Sequence, residues 1–416
     1  MKNSGIPWIG EIPEKWKVDI LSVLFFEHKC KNIGMREKNL LSLSYGNIIK
    51  KDINTSEGLL PESFETYNII DKGDIIFRLT DLQNDKRSLR TGLCKEKGII
   101  TSAYVCLRKR STNSSEYFHY LFHAYDICKV FYGYGGGVRQ GMNYEDLRKL
   151  PIVFPPLSEQ QAITDYLDKK CAEIDQMVAL QEKFIEELKA YKQSLITETV
   201  TKGLNPKAPM KDSGVEWIGE IPEGWEVIRV KHLLWECKER SETGEEEPLS
   251  MSQKYGLIPT KDMDVIPNMA SSFVGAKYVH SGDLVFNKLK AHLGVFSVSE
   301  YDGLVSPDYA VYHSTERCVA KYLEYLFKTP QYINEFKKLS TGVGAGLTRL
   351  YTGDLFSIAA MCPPIQEQIN IVRAISDLCS KIDNLIAVKQ QKIEAYKDYK
   401  KSLIYEYVTG KRSVCE

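Results

Sequence analysis

The chain has 416 residues, 43% hydrophobic and 26% charged, with 55 Lys and Arg balanced by 55 Asp and Glu. It is too long for one ordinary core, so roughly two to four structural units are expected. It has no run of about 18 apolar residues to span a bilayer, and its first residues, MKNSGIPWIGEIPEKW, lack the apolar core of a signal peptide, which points to a cytoplasmic protein without a membrane partner.

The zero net charge hides an asymmetry: residues 1–154 carry 23 Lys and Arg against 18 Asp and Glu, and residues 206–362 carry 17 against 21, with Glu245–Glu247 in a row. Nucleic-acid binding depends on local clustering, so the total excludes nothing. The ten cysteines show no CxxC pair or regular spacing and read as isolated thiols, not as disulfides or zinc ligands.

In chain order, Ser4–Val18 (SGIPWIGEIPEKWKV) returns as Ser213–Val227, with 11 of 15 positions identical. Its Gly and Pro exclude a helix interior, so it reads as an ordered, irregular loop anchored by Trp8 and Trp16, or Trp217 and Trp225. LSLSYG (Leu41–Gly46) is echoed at Leu249–Gly256. KGDIIFR (Lys72–Arg78) answers SGDLVFN (Ser281–Asn287), and GIITSAYVCL (Gly98–Leu107) answers GLVSPDYAVY (Gly303–Tyr312). Both pairs are β-branched and aromatic, as strands are. Aromatic helical stretches follow, then glycine-rich turns at Gly133–Gly141 and Thr341–Arg349 and strand-like exits at Leu150–Phe154 and Phe356–Met361.

Each exit ends in Pro-Pro and a long helical pattern. Pro155–Thr201 and Pro363–Thr409 align without a gap at an offset of 208, with 20 of 47 positions identical. Ile163, Leu167, Ile174, Val178, Ile185, Leu188 and Leu195 match Ile371, Ile375, Ile382, Ile386, Ile393, Tyr396 and Leu403. Steps of 3, 4 and 7 place each set on one stripe, the pattern of a coiled-coil seam. Two matched amphipathic helices in one chain most simply pack on each other. The expected fold is α+β: two tandem mixed α/β domains (1–154 and 206–362) joined by two long helices (155–205 and 363–416) packed as an antiparallel coiled coil.

Catalytic signatures are absent. His119 and His123 have the spacing of a zinc pair, but no Glu follows the first and no third ligand is evident. GYGGG and GVGAG are neither dinucleotide nor P-loop motifs. The Pro-Pro steps lack the polar residue of an amino-methyltransferase motif, which argues against a fused methyltransferase. The segments that diverge most between the copies, 78–97 and 287–302, carry cations and amides suited to phosphates and base edges. The candidates for DNA contact are Arg78, Lys86, Arg87, Arg90, Asn287, Lys288, Lys290 and His292, with Arg139, Gln140 and Arg349 beside the glycine-rich turns. No metal site is expected.

The doubled WIGEIPEKW and WIGEIPEGW, the KGDIIF and SGDLVF strands, the glycine-rich turns ahead of YEDL and YTGDL, and PPLSEQ and PPIQEQ resemble the DNA-specificity subunits of type I restriction-modification systems. The resemblance covers essentially the whole chain, twice. It implies two target-recognition domains, each reading half of a split site in double-stranded DNA, with the paired helices as spacer. It implies no catalysis by this chain. Two modification subunits would carry S-adenosylmethionine, and two restriction subunits would use ATP and Mg. The helices' outer faces, with Tyr191, Lys192, Tyr399 and Lys400, are where modification-subunit contacts are expected. A helix of ~40 residues is about 60 Å long, enough to separate half-sites by a DNA turn of about 34 Å. The competing expectation is a coiled-coil adaptor without DNA contact.

Overall fold

The computed structural model describes residues 1–54, 61, 63–82, 89–110, 112–133, 141–266, 272–344 and 347–414. The chain is α+β and divides into two compact units, Met1–Glu182 with Lys389–Glu416, and Lys183–Val388. Both divisions fall inside the long helices, Leu157–Lys202 and Ile365–Val408. Each unit therefore holds one α/β fold, the first part of one long helix and the last part of the other.

In the first unit the opening loop is tied by a short strand pair, Lys2–Asn3 with Glu11–Ile12. Trp16 is buried edge-on against Tyr117 at 6.4 Å and donates its Nε1–H to Glu159 at 3.0 Å. Trp8 stands edge-on to Tyr125 at 5.7 Å. Lys17–Ile20 pairs antiparallel with the exit strand Pro151–Phe154. A four-stranded antiparallel sheet follows, in the spatial order Phe25–Glu27, Val105–Lys109, Ile75–Phe77, Thr91–Leu93. The helix Ser115–Ile127 is capped by the Ser114 hydroxyl, which accepts from the Tyr117 amide. It buries Tyr117, Phe118, Leu121, Phe122 and Tyr125, one face at helical spacing. Phe25 and Phe77 meet its Phe118 and Phe122 edge to face at about 5 Å.

The second unit repeats this plan. Its opening strands are Met210–Asp212 and Glu220–Pro222, and Glu226–Arg229 pairs with the exit strand Ala359–Cys362. The sheet order is Leu234–Cys237, Tyr309–Ser314, Leu284–Asn287, Phe296–Val298. Trp225 faces Tyr322 at 6.5 Å and Trp217 faces Tyr332 at 4.9 Å, both edge-on. Pro330 starts a second helix, Pro330–Leu339, after Ala320–Phe327, because proline is tolerated at a first helical position but not inside.

One expectation needs correcting. Gly98–Leu107 and Gly303–Tyr312 are not single strands. Each splits into two strands that belong to different sheets, Gly98–Ile100 and Val105–Lys109, and Gly303–Val305 and Tyr309–Ser314. Turns closed by Tyr104 N–H to Thr101 O and Tyr309 N–H to Ser306 O break them. Gly98 and Gly303 are required for close approach: a Cβ there would meet the carbonyl of Asn39 at 2.6 Å or Glu247 at 2.4 Å.

Among the seam positions, Ile163, Leu167, Ile174, Ile185, Ile371, Ile375, Ile382, Ile393 and Leu403 are buried; Val178, Leu188, Leu195, Ile386 and Tyr396 are half-buried. In the first unit Ile163, Leu167, Cys171 and Ile174 share a core with Leu403, Ile404, Tyr407 and Val408. Tyr166 lies 4.6 Å from Tyr407, and Lys400 reaches Asp175 at 2.7 Å, so the two stretches run antiparallel. In the second unit Lys192 reaches Asp383 at 2.7 Å. These are the same ion pair twice, since each member lies 208 residues from its counterpart. Lys192 and Lys400 therefore reach across to the opposite helix and are not outward contacts. Tyr191 and Tyr399 are exposed.

The helices are locked to their folds by buried polar groups. Gln160 donates to Pro155 O at 2.9 Å and accepts from Ser114 N–H at 2.9 Å; Gln368 does the same with Pro363 O and Val319 N–H, both at 2.8 Å. The Tyr117 hydroxyl donates to Val408 O at 3.0 Å, and the Tyr322 hydroxyl to Val200 O at 3.3 Å. Both tie an α/β fold to the end of a long helix.

Two matched pairs of positions in the aromatic helices differ in chemistry. Glu324, buried, accepts from Val298 N–H at 2.9 Å and pairs with Lys321 at 2.8 Å and Lys328 at 2.6 Å. Burial pushes its carboxyl up, but Lys328 and Lys321 outweigh this and hold it below the usual range. The first unit has His119 and His123 in place of Glu324 and Lys328. His119 Nδ1 is sealed from solvent without a partner among the described residues. Burial, then His123 and Lys95, push His119 down to about 3; burial, then Lys400, push His123 down to about 4. Neutral imidazoles are thus favoured in the folded state. The stability they allow is complete above the unfolded value of 6.5 and is lost as pH falls towards 4 and 3. Thermal unfolding of the full chain should show the first unit weakening as pH drops below 6.5, before carboxylates titrate. His119→Leu should flatten that slope, and an unchanged slope would refute the assignment.

Candidate nucleic-acid interface

In both units the divergent segment leaves the end of a central strand, and its neck is closed by one backbone bond. Arg78 N–H donates to Arg90 O at 2.8 Å, and Asn287 N–H donates to Val295 O at 3.1 Å. A second bond ties this segment to the residue that follows the glycine-rich turn. Met142 N–H reaches Leu79 O at 2.9 Å, and Leu350 N–H reaches Lys288 O at 3.0 Å. Leu79 and Lys288 are 209 apart and Met142 and Leu350 are 208 apart, so these are the same bond. The two regions carrying the candidate cations and amides are joined in each fold.

In the second unit Lys288 is half-buried. Its ammonium is held below the usual lysine range by burial first, then by Lys277 and Arg349, against partial compensation from Glu236 and Asp308. Lys277 is itself buried and lies 3.4 Å from Glu236. Arg349 reaches Asp308 at 2.9 Å, and that carboxylate is largely exposed, so the pair exchanges readily with solvent or a ligand. His292 Nδ1 lies 3.4 Å from the Thr348 hydroxyl. Asn287 Oδ1 accepts from Leu289 N–H at 3.2 Å, and Lys290 is exposed. Gln253 donates to Leu293 O at 2.9 Å, which attaches a neighbouring hairpin to the same loop. Lys277, Thr348, Asp308 and Gln253 were not legible as site residues, because they join the cluster through contacts between segments distant in sequence.

In the first unit Arg78 is half-buried. Lys86, Arg87, Arg139 and Gln140 lie outside the described residues. Arg90 requires correction as a DNA-contact candidate. It is 0% exposed, and its guanidinium donates to Thr80 O at 2.9 Å and Asp81 O at 3.2 Å. A group so enclosed cannot reach a phosphate or a base edge.

Among the described residues, the trio with metal-ligating geometry is His28, Asp71 and Asp74. Arg108 already occupies its carboxylates, at 2.7 Å to Asp71 and at 2.8 and 2.7 Å to Asp74. The equivalent of Arg108 is His313, whose Nδ1 pairs with the buried Asp283. Both arrangements tie strands together. Of the nine cysteines among the described residues, all are free and most are buried. Among the described residues, no helix is long and apolar enough to cross a membrane.

The family model described as the type I restriction modification DNA specificity domain matches residues 35–190. The MjaX specificity subunit of Methanocaldococcus jannaschii is 26% identical over 97% of this chain and 95% of its own length. The type I restriction enzyme MjaVIII specificity subunit of the same organism is 24% identical over 76% of this chain and 75% of that protein. The fold is similar to a chain from a structure of complex assembly and conformational transition in the type I R-M system, with a TM-score of 0.69 and 14% identity over 96% of this chain and 98% of that one. It is also similar to the HsdS subunit from Thermoanaerobacter tengcongensis, with a TM-score of 0.55 and 14% identity over 97% and 98% of the two chains. Residues 35–190 thus match the specificity-domain family, and along nearly its whole length the chain is similar in sequence and in fold to type I restriction-modification specificity subunits.

Proposed function

We propose that this chain reads a bipartite DNA site, one half with each α/β fold, and that its two long helices pair antiparallel along their length as the spacer between half-sites. The observation that carries this reading is the repeated junction, Leu79 with Met142 and Lys288 with Leu350, which joins a divergent loop to a glycine-rich turn in both folds. A constant frame bearing variable side chains is what two modules reading different sequences need. Lys288 and Arg349, with Lys290 and His292, would contact phosphates or base edges in one half-site. Arg78 would act in the other, with Lys86, Arg87, Arg139 and Gln140.

The spacer reading is supported by the repeated ion pair Asp175–Lys400 and Lys192–Asp383 and by two helices of 46 and 44 residues, about 69 and 66 Å at 1.5 Å per residue. Docking of modification subunits would use the exposed apolar residues Met177 and Leu180 and their 208-offset counterparts Leu385 and Val388, with Tyr191 and Tyr399. Exposed apolar groups repeated in register suit a partner bound twice. The full complex would hold two modification and two restriction subunits, which supply S-adenosylmethionine, ATP and Mg.

Methylome sequencing of a strain carrying this chain with functional partner subunits should show N6-methyladenine in each half of a two-part motif with a fixed gap, lost on deletion. Replacing residues 1–154 with the domain of another family member should change one half only. An unchanged methylome on deletion refutes DNA specificity, and a change in both halves refutes modular reading. Separately, Lys288→Met and Arg349→Met should each weaken binding and lower the salt-dependence slope by about 1 if they meet phosphate; an unaltered slope and affinity would remove them from the interface. Inserting about four residues, one helical turn, between Leu180 and Lys183 should alter the gap or abolish assembly. Full activity with the original gap would mean the helices do not set the spacing.

A further inference from the structure

Arg90 fills a place that its counterpart in the second fold leaves to a small apolar residue. The neck bond Arg78 N–H to Arg90 O matches Asn287 N–H to Val295 O, so Arg90 and Val295 occupy equivalent positions. The loop between them is four residues longer in the first fold. Both side chains are buried, but Val295 is apolar, whereas Arg90 buries a full guanidinium.

That guanidinium is arranged as a fork. Nη1 donates to Thr80 O at 2.9 Å and Nη2 to Asp81 O at 3.2 Å, on the opposite side of the neck. Asp81 has φ of 58°, a left-handed conformation uncommon outside glycine, and its carbonyl is one of the two held. The Arg90 amide donates to the buried Asp126 carboxylate at the end of the aromatic helix, and the guanidinium lies 5.8 Å from the centre of the Tyr132 ring. Leu79, next to Thr80, receives Met142 N–H, the bond that ties in the glycine-rich segment. The Arg90 side chain thus joins the two arms of the neck to each other, and its backbone N–H ties them to the helix end.

We propose that Arg90 is a positioning residue for DNA sequence discrimination by the first fold: it does not touch DNA, but fixes the direction in which residues 78–82 leave the sheet. This rests on the DNA-reading function proposed above. A planar fork that grips two successive carbonyls is specific to arginine. A lysine reaches one of them as a point charge, and a methionine keeps the stem and loses both. The bonds Arg78 N–H to Arg90 O and Met142 N–H to Leu79 O are between backbone atoms, and neither substitution removes them.

The test uses the full chain with its partner subunits, and methylome sequencing scored separately for mismatches in each half-site; the 1–154 replacement identifies which half belongs to the first fold. Arg90→Met should lower discrimination in that half by about tenfold, the scale of one mismatched base pair, and leave the other half at wild type. Arg90→Lys should recover part of the loss. Thermal unfolding of each variant separates positioning from collapse. A folded Arg90→Met chain with wild-type discrimination in both halves, or with equal loss in both, overturns the proposal. If Arg90→Met does not fold, Arg90→Lys decides: partial loss confined to the one half supports positioning, and wild-type discrimination overturns it. A wild-type chain that directs no two-part methylation alongside active partners would overturn DNA reading itself, and Arg90's role with it.

Discussion

Neither long helix can leave its apolar stripe in water, and the fold follows from how each stripe is covered. Leu157–Lys202 is too long for one small fold to cover. Its first part is buried beside the first sheet-and-helix layer and its last part belongs to the second unit. The C-terminal helix is divided in the opposite order, so the first unit is completed by the last residues of the chain. Val408 receives the Tyr117 hydroxyl, and Gly410 closes over Pro13 and Trp16 with φ of 71°. The aromatic WIGEIPEKW loop is therefore a socket for the chain's far end as well as a lead-in to its own domain. The buried tyrosine hydroxyls matter because helix-terminal carbonyls have no intrahelical partner and are costly to bury unpaired.

The duplicated frame holds its geometry while the polar groups inside it change. His119 and His123 stand where Glu324 and Lys328 form an ion pair, Arg108 where His313 meets Asp283, and Arg90 where Val295 sits. In each case the backbone pairing is kept. A sheet and capped helix set position, and the buried polar substituents then tune each copy separately. This division allows one fold to change without altering the other.

Much of this was legible because it is periodic or repeated. The helix pair, its seam, the two folds and the exit strands follow from steps of 3, 4 and 7 residues and from the 208-residue offset. What escaped reading depends on contacts that leave no local period. An arginine in a basic, divergent segment looks like a ligand contact, but Arg90 turns inward because Thr80 and Asp81 offer two carbonyls in the fold. Lys192 and Lys400 flank the stripe, and sequence alone does not say whether a flank residue points away or reaches across; Asp383 and Asp175 decide it. The break inside Gly98–Leu107 was hidden because both halves are apolar enough for strands, and only the Thr101 turn separates them.

The net acidity of the second fold is not evenly spread. The acidic residues before its hairpin have their own partners: Glu246 accepts from the Ser241 hydroxyl at 2.6 Å, Glu247 pairs with Lys261 at 3.0 Å, and Glu239 meets His280 at 3.1 Å. The repeated junction is cationic by contrast. Burial lowers Lys288, and Lys277 and Arg349 lower it further, which is the signature of positive charges crowded beyond what Glu236 and Asp308 neutralise. Such crowding costs free energy in the isolated chain and is relieved when an anion arrives. A phosphate placed there would restore the lysine's affinity for its proton and release the strain between cations. The arrangement that makes the free fold slightly less stable is thereby one that a polyanion would relieve, whatever the sign of the domain's total charge.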